Sequence, residues 1–561
     1  MALEKGIKGS EFLAKTLKGY GTTHVFLVEA ILRRTMVELE KLGVRRIVAH
    51  SEKAAAYMAD GYARVSRKVG VCFAQSVGAA NLASGLQDAF LANAPVLAFT
   101  GQKPPMFQHR NAYQEIIHRP LFEPVTKYNV SLTEPGQLPL YLRQAFREAT
   151  SGCPGPVHID LPDNLGFFID NSTIFEEPAA EESFMAAPSY RIPPCREDVA
   201  AAVKELMAAE RPVIVAGGGA VFSGAGAEVT ALAELLDIPV AVSVDGKGSI
   251  ADNHPLSLGP VGNYARACAN EIVSQADLVL YVGCGTGDQV TRNWTIPAKG
   301  TRIIQIDIDP LELGRNYPNT LGLLGDARLT LAAMAAAIGA KRSNAGSRAG
   351  WADQAARAVA AWRKSLEPLR ASDAVPIRAE RLCAELEKVL PEDAVLVSDT
   401  GFSAIWTAAM VDCNHPGQRY IRAAGGSLGW GYPAALGAKC AVGERPVICF
   451  TGDGAIWYHI AEMETAVRHN IATVTVLNNN GGFGQCLGGI RAAYGDGPGR
   501  KEDLYAFTPV NFSNLAREIG CNAVRAEKPA DIGPAIRDAL GSGRPSVVEV
   551  LTDIECSPWG G

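Results

Sequence analysis

Two polar clusters near the carboxyl-terminal end of the sequence have the residue types of a magnesium and phosphate site. Asp453 lies between two glycines directly after the apolar run 446–451, and Asn480 follows the next apolar run, 472–477. Because the carboxyl ends of parallel strands meet at one edge of a sheet, we expect these side chains to lie close together. A carboxylate, an amide oxygen and a backbone carbonyl suit Mg²⁺, which completes its octahedron with phosphate oxygens and water. The neighbouring glycines would let the backbone approach such an anion.

This pattern resembles the Gly-Asp-Gly…Asn-Asn signature of thiamine diphosphate enzymes. By that resemblance Asp453 and Asn480 are metal ligands, Gly482 contributes its backbone oxygen, and thiamine diphosphate and Mg²⁺ are the expected cofactors. The run of three asparagines leaves Asn479 as an alternative to Asn480. An ordinary strand, turn and helix with a glycine-rich loop is the plainer interpretation of either half alone. The resemblance adds five cofactor-binding residues in the same two loops: Gly452, Gly454, Ala455, Phe483 and Gly484.

A second part of the resemblance lies in the amino-terminal third of the chain. A thiamine enzyme needs a carboxylic acid beside the aminopyrimidine ring, so that the ring can take the weakly acidic proton of the thiazolium carbon. Residues 52–64 resemble the family's pyrimidine-site helix, and Glu52 falls on its activating glutamate; taken alone, Glu52 could be a helix-start residue favoured by the helix dipole. Asn81 ends a glycine-containing loop at a matching cofactor-binding position. Gln114 matches a catalytic position near the reactive carbon, and an exposed helix Gln is its alternative.

Two further loops resemble the diphosphate and thiazolium loops of the family. In residues 399–403 the expected cofactor contacts are Gly401, Phe402 and Ser403. In residues 425–431, Leu428 matches the apolar residue that bends the cofactor, and the Gly426 carbonyl would receive its amino proton. Each loop alone could be a plain turn between a strand and a helix.

The middle of the chain carries a weaker nucleotide-binding pattern. A glycine-rich stretch follows the strand candidate 213–216, and Asp307 and Asp309 end a later strand, where acids could hold an adenosine ribose. This part resembles the central domain of the acetolactate synthase and oxalyl-CoA decarboxylase group, which implies FAD, ADP or an empty site. Residues 285–291 depart from the loop of the FAD-binding synthases, which favours ADP or an empty site over FAD.

Short apolar runs alternate with helical patterns along nearly the whole chain, which predicts the α/β class. We expect three consecutive doubly wound parallel-sheet domains: a pyrimidine-binding domain at 1–180, a central nucleotide-binding-like domain at 190–342, and a diphosphate- and Mg²⁺-binding domain at 370–545. A tail at 546–561 could order as a lid. The predicted strands are 25–28, 46–49, 69–74, 96–100, 157–161, 213–216, 240–244, 278–282, 303–308, 395–398, 447–450, 473–477 and 547–551.

Composition narrows the class of protein. The 561 residues carry a net charge of −6, which gives no general attraction to nucleic acid or to an anionic membrane. No run of 18 apolar residues is present, so a membrane span is not expected. The 12 cysteines are scattered singly, and the amino terminus lacks an apolar signal core, as expected of a cytoplasmic protein with reduced thiols.

The choice of reaction depends on less specific features. The expected activity is that of a 2-hydroxyacyl-CoA lyase, giving formyl-CoA plus a ketone or aldehyde, because Arg491, Arg500 and Lys501 in a glycine-rich loop could take the phosphates of an acyl-CoA. Phe402 and Ser403 replace the Gln-His pair of acetolactate synthases. The alternatives are an acetolactate synthase-like 2-keto acid decarboxylase and carboligase, or a non-catalytic nucleotide-binding relative. The resemblance further implies a homodimer or homotetramer with active sites at the subunit interface.

Overall fold

The computed structural model describes residues 2–163, 168–339 and 348–558. Within them, three six-stranded sheets follow one another along the chain, and every strand pair in these sheets is parallel. Helices connect the strands and cover the sheets. The predicted α/β class with three doubly wound domains is confirmed.

The first domain forms where apolar runs such as Gly70–Gln75 and Val96–Gly101 are buried on both faces of a parallel sheet. Its strands are β1 Ala2–Lys8, β2 His24–Leu27, β3 Arg45–Val48, β4 Gly70–Gln75, β5 Val96–Gly101, β6 Tyr128–Ser131, β7 Val157–Asp160 and β8 Thr173–Glu176. Its helices are α1 Gly9–Gly19, α2 Arg33–Lys41, α3 Glu52–Ser66, α4 Gly78–Leu91, α5 Arg119–Phe122 and α6 Leu138–Thr150. The sheet order is β3-β2-β4-β5-β7-β6, and β1 and β8 form a separate antiparallel pair.

The central domain repeats this architecture. Its strands are β9 Pro212–Ala216, β10 Val240–Val242, β11 Ser257–Pro260, β12 Leu278–Val282, β13 Arg302–Asp307 and β14 Leu321–Leu324. Its helices are α7 Arg196–Ala208, α8 Gly218–Ser223, α9 Gly226–Leu236, α10 Ala267–Ser274, α11 Asp288–Thr291 and α12 Ala327–Gly339. The sheet order is β11-β10-β9-β12-β13-β14. A long helix, α13 Ala349–Arg370, then leads to the third domain.

The third domain carries most of the predicted site. Its strands are β15 Val395–Ser398, β16 Arg419–Arg422, β17 Val447–Gly452, β18 Val474–Asn479, β19 Asn522–Ala526 and β20 Ser546–Leu551. Its helices are α14 Ala379–Val389, α15 Phe402–Met410, α16 Gly431–Val442, α17 Asp453–Ile456, α18 Glu462–His469, α19 Leu487–Tyr494, α20 Phe512–Ile519 and α21 Pro529–Gly541. The sheet order is β16-β15-β17-β18-β20-β19, so the order of the strands reverses between β15 and β17.

The third sheet extends past the predicted domain boundary at residue 545. Ser546–Leu551 forms β20, which pairs with both β18 and β19 and therefore belongs to the sheet and not to a tail. The tail begins at Thr552, and residues 559–561 lie outside the described residues, as does the predicted central-domain boundary at 342. A strand inside the sheet cannot swing free of it, so within the predicted tail only the residues after Leu551 are left as a candidate lid.

The first and third domains share one hydrophobic core through α3 and α16. Two glycines allow these helices to approach closely: a Cβ atom at Gly61 would overlap the Ala434 carbonyl oxygen, and one at Gly437 would overlap that of Met58. This packing fixes how the amino-terminal and carboxyl-terminal parts of one chain lie against each other.

Candidate active site

A cavity of about 310 Å³ lies at the carboxyl edge of the third sheet, at the reversal of strand order between β15 and β17. Ligands of doubly wound folds bind at such a point, because the loops on its two sides diverge and leave a crevice. The predicted residues that line it are Gly401, Phe402, Ser403, Gly426, Leu428, Gly452, Asp453, Gly454, Ala455, Asn480, Gly482, Phe483 and Gly484.

Three oxygen-bearing groups meet at one side of this cavity. A terminal atom of the Asn480 amide lies 3.3 Å from Asp453 Oδ1 and 2.8 Å from the Gly482 carbonyl oxygen. With the amide oxygen at that place, three oxygens converge; with the amide nitrogen there, it donates to both of the others. Two ligands of Mg²⁺ at right angles, each about 2.0–2.1 Å from the ion, are about 2.9 Å apart. The spacing of these groups therefore fits a magnesium site.

Asn479, the alternative to Asn480, is directed elsewhere. Its amide nitrogen donates to Glu549 Oε1 at 2.7 Å, and Glu549 is buried in β20. Successive side chains of an extended strand point to opposite sides, so only one of the two asparagines can face Asp453. The geometry favours Asn480.

Two buried carboxylates hold the loops of the cavity. Burial raises the pKa of Asp453 to about 6, although backbone N–H groups of Gly454, Gly481 and Gly482 oppose this shift. Asp399 accepts hydrogen bonds from the N–H groups of Gly429 at 3.0 Å and Gly431 at 2.9 Å. Burial raises the pKa of Asp399 to about 6. Asp399 thus ties the end of β15 to the loop that carries Leu428.

The loop backbones bend where glycine is required. Gly401 precedes α15 with φ of 70°, and Gly426 has φ of 77°, a region that side chains disfavour. The positive end of the α15 dipole therefore faces the cavity, as expected for the binding of a diphosphate. Leu428 is half-buried and lines the same cavity.

The first-domain residues form a separate cluster. Glu52 opens α3, and its Oε2 accepts a hydrogen bond of 3.1 Å from the Asn81 amide on α4. Gly78, the first residue of α4, lies so close that a Cβ atom there would overlap Glu52 Oε1. Gln114 lies in the loop after β5, where the Gln75 amide and the Ser76 hydroxyl donate to its side-chain and backbone oxygens.

These first-domain residues do not line the third-domain cavity of the same chain. Glu52, Asn81 and Gln114 are not among the residues around it. The sequence therefore predicted two groups of residues that do not share one cavity in a single described chain.

Three family models match the chain in consecutive segments. The thiamine pyrophosphate enzyme N-terminal TPP binding domain matches residues 7–120, the central domain 199–334, and the C-terminal TPP binding domain 399–550. A probable acetolactate synthase large subunit of Methanococcus aeolicus is 34% identical, with 90% of this chain and 85% of that protein covered. The chain belongs to the thiamine pyrophosphate enzyme family.

Other relatives within this family carry two kinds of name. A probable acetolactate synthase large subunit of Methanocaldococcus jannaschii is 32% identical over 98% of this chain and 92% of its own length. A glyoxylate carboligase of Escherichia coli O157:H7 is 32% identical over 91% of this chain and 87% of its own length. The chain is a thiamine diphosphate-dependent enzyme, and these comparisons favour the carboligase alternative over the 2-hydroxyacyl-CoA lyase expected from sequence.

The central domain of this thiamine enzyme uses its predicted nucleotide-site residues within the protein. Gly217 and Gly219 pack against the backbone at Gly283, where a Cβ atom on either would collide. Asp307 Oδ1 accepts from the Asp309 backbone N–H at 3.0 Å, which closes a turn. Gly217, Gly219 and Asp307 therefore have structural roles in the described protein.

Five residues that line the cavity of this thiamine enzyme are not among the predicted cofactor contacts. Thr400 and Asn478 lie within the predicted loops, and Gln485 and Cys486 directly follow Gly484. Tyr264 comes from the central domain, and no local pattern in the sequence connects it to the third sheet. Among the described residues, no helix is both long and apolar enough to cross a membrane.

Proposed function

We propose that the protein is a thiamine diphosphate-dependent carboligase that removes CO₂ from a 2-keto acid and joins the remaining fragment to a second carbonyl compound. The observation that carries the proposal is full-length likeness to acetolactate synthases and to a glyoxylate carboligase, in a chain whose Asp453, Asn480 and Gly482 have the spacing of a magnesium site. Bound thiamine diphosphate supplies a nucleophilic carbon for attack on the substrate carbonyl.

Different residues of this chain would bind the metal ion and the two ends of the cofactor. Asp453, Asn480 and the Gly482 carbonyl would hold Mg²⁺, which binds the diphosphate oxygens. Leu428, which lines the cavity, would contact the bound cofactor. Glu52 would hold a proton against the aminopyrimidine ring, since Asn81 occupies its Oε2 and leaves Oε1 for the ring.

The homodimer is part of the proposal, because the cavity of one chain would need Glu52 of a second copy. Several large apolar side chains near the first-domain cluster are exposed in one chain, among them Tyr113 at 80% and Ile117 at 65%. Exposed apolar side chains of this size mark protein interfaces. A homotetramer would be two such dimers, and a solution mass measurement distinguishes the two states.

Mixing two inactive variants tests the shared site. Glu52→Gln and Asp453→Ala each remove one half-site, and a mixed dimer of the two variants contains one intact site if the halves meet across the interface. Random mixing should therefore restore about one quarter of wild-type activity. No recovery, in a mixture shown by mass to contain mixed dimers, would refute the shared site.

The substrate class is tested by product analysis. Purified protein with thiamine diphosphate and Mg²⁺ is given pyruvate or glyoxylate in one series and 2-hydroxyacyl-CoAs in another, and mass spectrometry identifies the products. We expect CO₂ and a ligated hydroxy acid that keeps one carbonyl, a ketone from pyruvate and an aldehyde from glyoxylate, from the first series only. Cleavage confined to the acyl-CoA series would overturn the proposal and favour the lyase.

The role of Glu52 is tested by exchange of the C2 proton of thiamine diphosphate. If the Glu52→Gln variant exchanges this proton as fast as wild type, the assigned role of Glu52 is wrong.

Contacts of the cationic loop count against the lyase. Arg491 makes two hydrogen bonds with Glu555, of 2.7 and 2.6 Å, and Arg500 pairs with Asp503 at 3.0 Å. These pairs engage part of each guanidinium and bring a carboxylate beside it, which weakens the case that the two arginines are held ready for the phosphates of an acyl-CoA. The Arg491–Glu555 pair instead fastens the tail beside α19.

A second proposal is that the central domain binds ADP or FAD. It rests on the likeness of that domain to the synthase group. Its test is direct: the nucleotide released by denaturing the purified protein is identified by chromatography and absorbance. If the purified protein holds no nucleotide and does not bind added ADP or FAD, the nucleotide proposal is wrong.

A further inference from the structure

A chain of buried polar groups lies behind Gln114 in the first domain. Ser76, Thr100, His118 and Asp160 are all fully buried. Asp160 Oδ1 is 3.0 Å from His118 Nδ1 and 2.9 Å from Thr100 Oγ1. His118 Nε2 is 3.5 Å from Ser76 Oγ, and this hydroxyl donates to the Gln114 carbonyl oxygen. The family signature explains none of these four residues.

The direction of the hydrogen bonds in this chain follows from the donors and acceptors. His118 Nδ1 faces a carboxylate oxygen, so it carries a proton and donates to Asp160. A serine hydroxyl has a single proton, and the Gln114 carbonyl is nearer to Ser76 Oγ than His118 Nε2 is. Asp160 therefore orients the imidazole, and its Nε2 packs 3.5 Å from the Ser76 oxygen, confining that oxygen by contact and not by a hydrogen bond. The Ser76 hydroxyl itself donates to the Gln114 carbonyl.

Gln114 needs such support because of its backbone. Its φ is 63°, in the left-handed region that a residue with a side chain rarely adopts. A conformation of this kind costs about 1–3 kcal/mol and persists only where neighbours hold it. Besides the hydrogen bond from Ser76, two other contacts hold this loop. The Gln75 amide donates to Gln114 Oε1, and the Glu115 carboxylate accepts from the Ala112 backbone N–H at 3.1 Å.

The orientation of the Gln114 amide follows from the same contacts. Because Gln75 occupies Oε1, the Nε2 hydrogens of Gln114 are directed away from Gln75. A half-buried amide with its donors turned outward is suited to bind a carbonyl oxygen or carboxylate of a substrate.

We propose that Ser76, His118 and Asp160 are positioning residues that hold Gln114 with its amide donors toward the substrate carbonyl. The inference rests on the proposed function and on the family resemblance that places Gln114 near the reactive carbon. Ser76, His118 and Asp160 act through Gln114 and touch neither cofactor nor substrate.

The first test needs no cofactor or substrate. Amide hydrogen exchange is compared between wild type, Ser76→Ala and His118→Asn in peptides that cover the loop 108–118. We expect exchange in that loop to rise roughly tenfold in both variants, because the contact that holds the Gln114 carbonyl is lost or misdirected. Thr150→Val is the matched control, since it removes another fully buried hydroxyl that donates to a backbone carbonyl, Phe146 at 2.8 Å. Unchanged exchange in the Ser76 and His118 variants would overturn the inference.

The second test asks whether Ser76 acts through Gln114. Ser76→Ala and Gln114→Ala should each lower kcat roughly 10- to 100-fold, with thiamine diphosphate affinity and C2 proton exchange nearly unchanged. The double variant should be no slower than Gln114→Ala alone, because the second change removes nothing further. Multiplicative losses in the double variant would refute the positioning role. A wild-type protein that turns over no 2-keto acid would refute the carboligase proposal alone, and the loop exchange comparison would still decide whether these residues hold Gln114.

Discussion

Trp430 and Asp60 are joined by a hydrogen bond of 2.8 Å from the indole Nε1 to a carboxylate oxygen, across the contact between α16 and α3. Arg64 lies beside both, with its Nε donating to Asp60 at 2.8 Å and its guanidinium 4.7 Å from the Trp430 ring centre. Burial raises the pKa of Asp60, so the carboxylate depends on these donors. The third domain thus supplies a hydrogen bond that a buried charge of the first domain needs.

Removal of this donor should weaken the contact between the two domains. We expect Trp430→Phe to lower the free energy of unfolding by about 1–3 kcal/mol, the cost of leaving a buried acceptor short of one partner. Urea unfolding followed by circular dichroism measures the change. Trp294→Phe is the control, because Trp294 is 55% exposed and the backbone carbonyl that its Nε1 bonds keeps a second donor, the Asn316 amide at 2.9 Å. Equal effects of the two changes would contradict the assignment.

The close approach of α3 and α16 gives a second stability prediction. Gly61→Ala should lower the free energy of unfolding by about 1–3 kcal/mol or more, because the new Cβ atom overlaps the Ala434 carbonyl oxygen and neither helix can shift freely. Gly339→Ala, in α12 with open space around it, should instead be neutral or slightly stabilising. Thermal unfolding compares the two variants.

The sequence predicted the interior strands well and the edge strands poorly. All five strands that were missed in the three sheets, β6, β11, β14, β16 and β19, lie at sheet edges. Edge strands are covered on fewer sides, so they carry polar residues: every position of Tyr128–Ser131 is half-buried, and Arg419–Arg422 begins and ends with arginine. Ser257–Pro260 is buried, but its Gly and Pro interrupt an apolar run. A pattern of consecutive apolar residues cannot find such strands.

The same reasoning explains which parts of the site were predictable. Asp453 and Asn480 directly follow β17 and β18, and Leu428 lies in the loop between β16 and α16, so local sequence places them at one sheet edge. Tyr264 reaches the cavity only because the central domain packs against the third, a tertiary contact without a local signal. In the proposed dimer Glu52 meets the cavity of a second chain, a relation for which the sequence of one chain carries no local pattern.

The register of the asparagine run can be tested by two substitutions. Asn480→Ala should weaken Mg²⁺-dependent binding of thiamine diphosphate roughly tenfold or more, because it removes one proposed metal ligand. Asn479→Ala should instead lower the free energy of unfolding by about 1–3 kcal/mol, since it leaves buried Glu549 without its 2.7 Å donor. Calorimetric titration and urea unfolding, applied to both variants, separate these effects. The reverse result would assign the ligand to Asn479.

A histidine in the first domain predicts stability that depends on pH. Burial lowers the pKa of His24 to about 4, with a smaller contribution from Arg45. The pKa is about 6.5 in an unfolded chain, so the stabilisation is complete above pH 6.5 and is lost as the pH falls towards 4. The advantage of wild type over His24→Asn in unfolding free energy should therefore fall by about 1–3 kcal/mol between pH 7 and pH 4.5.

The difference between variants is the proper measurement of this effect. Burial raises the pKa of Asp163 and of Asp307 to about 6. Their contribution to the free energy of unfolding therefore falls as the pH rises through the same range, and it partly cancels the contribution of His24 in the stability of wild type alone. His415→Asn is the control, because its side chain is 45% exposed. A His24 difference that stays constant with pH would contradict the prediction.

Gly78 controls the space available to Glu52, since a Cβ atom at residue 78 would overlap Glu52 Oε1. We expect Gly78→Ala to displace the carboxyl group and slow C2 proton exchange of bound thiamine diphosphate roughly tenfold or more. Mg²⁺-dependent binding of the cofactor should change much less, because its proposed ligands lie in the third domain. Gly541→Ala, at the end of α21 with no atom within 4 Å of the new Cβ, is the matched control. If Glu52 is the activating acid, displacement of its carboxyl group must slow exchange. Exchange as fast as wild type would therefore contradict the role proposed for Glu52.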